Sequence, residues 1–166
     1  MKHWRLHPWL LAATLLLTAC QSDEVAHSEY FKKIFKEEQG LFRGIALGDA
    51  LEAVRQAEGG KPVNDDAFGL AYKVNLGEGE ECLVEYMSLA GEKRMVQSIL
   101  VNVMLGVEAE TTALYNEIEA FLRGRHGVPD GSFGGYRWRD EEFNLAISLR
   151  LLADKKSFSL NFARPK

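Results

Sequence analysis

The chain is short of the residues that most often carry chemistry. It has two cysteines and four histidines in 166 residues, and His3 and His7 lie within the first ten positions. That leaves His27, His126, Cys20 and Cys82, too few and too scattered to match the ligand spacing of a zinc site. No run of acids has EF-hand spacing. A Ser-His or Cys-His nucleophile would need His126. That residue follows Arg123 and Arg125 at the end of a helical pattern, where charge opposite to the helix macrodipole accounts for it. Gly77-Glu78-Gly79 lacks the strand-to-helix setting of a phosphate loop. The acid pairs Asp65-Asp66 and Glu141-Glu142 fall in turns, where solvated carboxylates are common. The expectation is a chain that is not an enzyme and needs no cofactor and no metal.

Basic charge and long apolar runs are also missing. The formal net charge is −4, which argues against nucleic acid as a partner, since phosphate backbones reward clustered Lys and Arg. The longest apolar run, Leu10 to Leu17, is interrupted by Thr14. It is far shorter than the ~20 residues a membrane-spanning helix requires.

What is present begins with that run. Lys2 and Arg5 precede it, giving the charged-then-apolar layout of a secretory signal. Leu17-Thr18-Ala19-Cys20 follows, and this stretch resembles the lipobox of bacterial lipoproteins at all four positions. The resemblance implies a diacylglyceryl group on the Cys20 thiol, cleavage after Ala19, and acylation of the new Cys20 amine. Two or more acyl chains hold a protein firmly on a membrane, so membrane lipid is the first expected partner. Gln21 stands where inner-membrane lipoproteins of Gram-negative bacteria tend to carry aspartate. The resemblance therefore implies the periplasmic face of the outer membrane of such a bacterium. The alternative is an ordinary secretory signal in which Cys20 is incidental.

Cleavage would remove residues 1–19 and take the formal charge from −4 to −6, because Lys2 and Arg5 leave and no acid does. Residues 20–27 are expected to form a short polar tether, reaching at most about 25 Å if extended. Residues 28–166 are enough for a single domain with its own core. With Cys20 acylated, Cys82 has no partner for a disulfide. Its place in the strand-like Cys82-Leu83-Val84-Glu85-Tyr86-Met87 points to a buried, inert thiol.

Periodicity sets the elements. Ser28 is placed to cap a helix carrying Tyr30, Phe31, Ile34 and Phe35 at helical spacing. That helix either packs on the domain or lies on the membrane beside the anchor. Asp49 and Glu52 have the spacing of a capping box before a second helix containing Leu51 and Val54. Gly48-Asp49, a short helix with Val54, then Gly60-Lys61-Pro62 resembles the opening helix of SmpA/OmlA-type lipoproteins and of β-lactamase-inhibitor-like domains. Three alternating segments follow, Phe68 to Leu76, Cys82 to Leu89 and Met95 to Leu105. The segment Glu108 to His126 has the core stripe Leu114, Ile118, Phe121 and Leu122. Three more strands are expected at Phe133 to Arg139, Glu142 to Leu151 and Ser157 to Arg164. The fold expected is α+β, an antiparallel sheet of about six strands in two meanders, with two or three helices on one face. Helix-then-meander occurs twice, which raises an internal duplication without a residue-level repeat to accompany it.

The most suggestive surface is Tyr136-Arg137-Trp138-Arg139, since Tyr, Trp and Arg are enriched in binding hot spots. The competing reading puts the Trp in the core and pairs the arginines with nearby acids on the surface. The function expected is protein binding at the envelope, as an assembly accessory, an inhibitor or an immunity-type protein with an envelope protein as partner. The alternative is a periplasmic carrier holding a small apolar ligand in a cavity lined by Phe158, Leu160 and Phe162.

Overall fold

A computed structural model describes residues 26–36, 40–89, 94–132 and 134–165. Ala19, Cys20, the whole signal-like segment and the tether as far as Val25 lie outside the described residues, as does Phe133.

Helix α1 (Glu29–Phe35) starts where the Ser28 hydroxyl accepts from the Phe31 N–H at 3.2 Å, the cap indicated by the sequence. Phe31, Ile34 and Phe35 are all buried in the core. The apolar stripe therefore packs on the domain and is not free to lie on lipid. His27, assigned above to the tether, stacks on Phe31 with ring centroids 3.8 Å apart and meets Glu117 at 3.1 Å.

Helix α2 (Leu51–Glu58) corrects its expected start. Ala50 is the N-cap and makes no side-chain hydrogen bond, so the Asp49–Glu52 capping box does not form. Sheet pairing is the reason. Asp49 O accepts from Val96 N–H at 2.8 Å, and the Asp49 carboxylate turns back to the Ala46 N–H at 2.8 Å. Helix α3 (Glu108–His126) has the expected bounds, and Leu114, Ile118 and Leu122 are buried along its stripe. Gly127 ends it by donating its N–H to Arg123 O at 2.9 Å.

Among the described residues the sheet has eight antiparallel strands, where about six were expected. They are β1 (Asn64–Asp66), β2 (Gly69–Gly77), β3 (Glu80–Ser88), β4 (Val96–Met104), β5 (Asp130–Ser132), β6 (Gly135–Asp140), β7 (Leu145–Leu151) and β8 (Ser157–Ala163). Their spatial order is β1-β2-β3-β4-β8-β7-β6-β5. The two unforeseen strands are the edges, three residues each. Neither Asn64-Asp65-Asp66 nor Asp130-Gly131-Ser132 has an apolar alternation to announce it, and backbone pairing alone makes them strands. Short, polar and acidic edges also resist pairing with other chains.

The two halves follow one plan. Each runs helix, Gly-x-Pro (Gly60-Lys61-Pro62 and Gly127-Val128-Pro129), three-residue edge strand, then a strand opening on glycine. A Cβ on Gly69 would strike Tyr86 O, and one on Gly135 would strike Leu149 O, so both positions admit only hydrogen. Three residues after each glycine comes a buried aromatic, Tyr72 or Trp138, followed by an exposed base, Lys73 or Arg139. The halves join where β4 pairs with β8, Val101 opposite Leu160. The correspondence between the halves is one of element order together with a few positions: the Gly-x-Pro, the glycine that opens the strand and the buried aromatic three residues on.

One face of the sheet is dry. Leu70, Tyr72 and Leu76 of β2, Cys82, Val84 and Tyr86 of β3, Ile99, Val101 and Val103 of β4, and Phe158, Leu160 and Phe162 of β8 are all buried there. The helices lie on it. Tyr115 of α3 packs edge-on to Phe158 at 5.9 Å, and Phe42, between α1 and α2, lies 5.6 Å from Phe162. Among the described residues no helix is long and apolar enough to cross a membrane.

Candidate functional site

Among the described residues no helix lies on the other face of the sheet. Strand side chains alternate, so the residues between the core positions all point to this side. Pairing sets them in rows across the strands. Lys73, Leu83, Asn102, Ser159, Arg150 and Gly135 make one row. Ala71, Glu85, Leu100, Asn161, Ser148 and Arg137 make the next. A third runs Met87, Ser98, Ala163, Ala146, Arg139.

These rows divide by chemistry. The β2–β4 half carries Glu81, Glu85, Leu83, Leu100, Met87 and Met104, and the two methionines are each 46% exposed. Lys73 pairs there with Glu81, and Asn102 donates to the Glu85 carboxylate at 3.3 Å. The β6–β7 half carries Arg137, Arg139 and Arg150, all exposed. Among the described residues no carboxylate lies within ion-pair distance of these three arginines. Between the halves lie small side chains, Ser98, Ser148, Ser159, Ala146 and Ala163, which leave a low floor. An apolar and acidic half beside a basic half is a surface that a complementary protein can read for both position and orientation.

The four residues singled out from the sequence are split by the sheet. Arg137 and Arg139 stand on the open face. Trp138 is 3% exposed in the core, where its Nε1–H donates to Gly127 O at 3.0 Å. Tyr136 is half-buried on the same side, 6.0 Å from both Tyr115 and Trp138. The strand period separates them, since neighbours in sequence face opposite ways. Arg150 was missed because it sits in a mostly apolar segment. Its signal was the outward position in Leu145 to Leu151, two residues along β7 from Ser148, the partner of Arg137 on β6.

A second polar group is buried. Arg43 and Glu58 side chains are 7% and 4% exposed and meet at 2.8 Å. Tyr86 donates its hydroxyl to the same carboxylate at 2.5 Å. Arg43 also donates to Lys33 O and Ile34 O at 2.7 and 2.9 Å, two of the carbonyls left open at the end of α1. Burial opposes ionisation of Glu58, but the hydrogen bonds from Arg43 and Tyr86 outweigh it and hold the carboxyl below its usual range. Burial pushes the Cys82 thiol up to about 12, so it carries no thiolate at ordinary pH. This cluster ties both short helices to the sheet and faces no solvent. Its role is structural.

A third group joins α3 to β6. His126 Nδ1 lies 3.1 Å from Asp140 Oδ2. That hydrogen bond, with others from nearby backbone N–H groups, holds the Asp140 carboxyl below its usual range. Among the described residues no three His, Cys, Asp or Glu side chains are grouped to hold a metal ion.

The fold and these surfaces define an α+β domain with one face of its sheet left open. No family model, curated protein or solved structure matches the chain.

Proposed function

We propose that this is a lipid-anchored envelope protein that binds another protein through the open face of its sheet. The observation that carries the reading is the uncovered face itself, with three exposed arginines on one half and exposed methionines and acids on the other. A buried core does not require such a surface, and exposed apolar groups rimmed by charge mark interaction sites. The lipobox resemblance at Leu17-Thr18-Ala19-Cys20 supports anchoring, and the resemblance to SmpA/OmlA-type and β-lactamase-inhibitor-like domains supports an assembly, inhibitory or immunity role. Anchoring places the partner at the membrane surface, on the periplasmic side of the outer membrane in a Gram-negative host. The protein acts by binding and not by catalysis.

The carrier reading would need a cavity lined by Phe158, Leu160 and Phe162. Those three are at most 1% exposed, with Tyr115 of α3 against Phe158 and Phe42 against Phe162.

Affinity capture from native envelopes tests the proposal. The full chain should recover one defined envelope protein, and the double variant Arg137→Glu, Arg139→Glu should lose it while remaining folded. Equal recovery by both proteins would refute the assigned face. Anchoring has its own arm. Cys20→Ser should abolish acyl labelling and release the domain from membranes; a variant that stays fully membrane-bound refutes the lipid anchor.

A further inference from the structure

We infer that a cleft at the C-terminal end of α3, apart from the open sheet face, binds a small apolar carboxylate. The cleft holds about 420 Å³ and lies where the loop before α2, the last turn of α3 and the β6–β7 turn meet. That volume is in the lower part of the ~300–1,000 Å³ range typical of small-molecule sites.

Its lining has two chemistries. Leu41, Leu47 and Leu145 supply an apolar surface, and Phe143, in the β6–β7 turn, lines it while 70% exposed. An apolar group that covers this ring gains roughly 25 cal/mol per Å² of area it removes from water. A ligand seated in the cleft would do so. The polar lining is Arg125, His126 and Asp140.

The sign of the ligand's charge follows from how those three are bonded. Asp140 accepts from His126 Nδ1 at 3.1 Å and from the Phe143 N–H at 3.2 Å, so its oxygens are engaged within the protein. Arg125 is fixed at the wall by a 2.9 Å donation from Nη2 to Gly40 O, one of the five N–H groups of a guanidinium. With Nδ1–H turned to Asp140, the neutral imidazole of His126 keeps Nε2 only as an acceptor. Arg125, with four N–H groups not taken by Gly40, is then the donor for a planar anion. The apolar lining then selects an anion with a hydrocarbon body, and the volume keeps it small.

The cleft and the proposed protein-binding face are independent. Asp140 belongs to the dry side of β6, with Trp138, whereas Arg137 and Arg139 belong to the open side.

Calorimetric titration of the acylated full chain in lipid nanodiscs tests the inference, with empty nanodiscs as blank. The probes are 4-phenylbutyrate, hexanoate and octanoate, each beside its primary amide, and an acetylated tetrapeptide ending in phenylalanine. At least one free carboxylate should bind saturably above the blank, with its amide weaker by about tenfold, the scale of one charge-assisted contact. Arg125→Gln should reduce the carboxylate affinity by a similar factor and leave amide binding unchanged. Leu47→Trp should fill the cleft and abolish binding with the circular dichroism spectrum retained. Three results would overturn the site: no probe binding above the blank, amides binding as well as acids, or both variants binding like the parent. Binding of the tetrapeptide alone would overturn the small-ligand class.

Discussion

Arg43 grips the Glu58 carboxylate with two parallel contacts of 2.8 Å, Nε to Oε1 and Nη2 to Oε2. The backbone of Arg43 takes a left-handed conformation, φ 53°, to bring its guanidinium there. Such a conformation in a non-glycine residue costs of order 1 kcal/mol and persists only where surrounding bonds enforce it. Here the bonds tie the end of α1, the end of α2 and Tyr86 of β3 together.

Removing one member of that pair should be costly. Arg43→Leu leaves the Glu58 carboxylate buried without its partner and the α1 carbonyls open, a loss of about 3–5 kcal/mol. Urea unfolding followed by Trp138 fluorescence measures it, since Trp138 is the one tryptophan after Ala19. A loss below about 1 kcal/mol, the scale of an exposed ion pair, would contradict the structural role.

Acid should expose the same cluster. The folded-state carboxyl of Glu58 is held below its ordinary value of 4.5. Its contribution is therefore complete above that value and is lost as pH falls through the lower, folded-state value. Stability measured between pH 7 and pH 3 should fall mainly below pH 4.5, and Glu58→Gln should flatten that limb. An unchanged limb in the variant would assign the acid sensitivity elsewhere.

Cys82 should be inert in the folded protein. Its thiol is fully buried and its pKa is pushed up to about 12 by that burial. Iodoacetamide at pH 8 should label it only in denaturant. Labelling at the rate of a free thiol in native buffer would show that β3 opens to solvent.

The paired glycines should behave alike. Alanine at Gly69 or Gly135 forces a methyl group into the carbonyl of the adjacent strand, Tyr86 O or Leu149 O. Each should destabilise by at least 1–3 kcal/mol, the range for overpacking. Denaturation of the two variants checks this, and a neutral effect at either position would break the equivalence of the halves.

Much of this architecture was legible in the sequence because it rests on period and capping. Leu114, Ile118 and Leu122 fixed α3, and Ser28 fixed the start of α1. The edge strands were not legible, because Asn64-Asp65-Asp66 and Asp130-Gly131-Ser132 pair by backbone alone. The cap at α2 misled because Asp49 follows the common rule locally, whereas its backbone is held by Val96, 47 residues away in sequence. The candidate binding surface was half visible. Arg137 and Arg139 could be put together by their spacing, but Arg150 joins them only through strand pairing. The His126–Asp140 contact is likewise a product of tertiary structure, and at residue level His126 offered only a helix-end charge.

The central claim is that the open sheet face is where the partner sits. A photo-crosslinking amino acid at Ser148, mid-strand on that face, tests it in native envelopes, with Gln56 on the exposed side of α2 as control. Ser148 should yield one discrete protein adduct and Gln56 none. No adduct from Ser148, or the same adducts from both positions, would contradict the account.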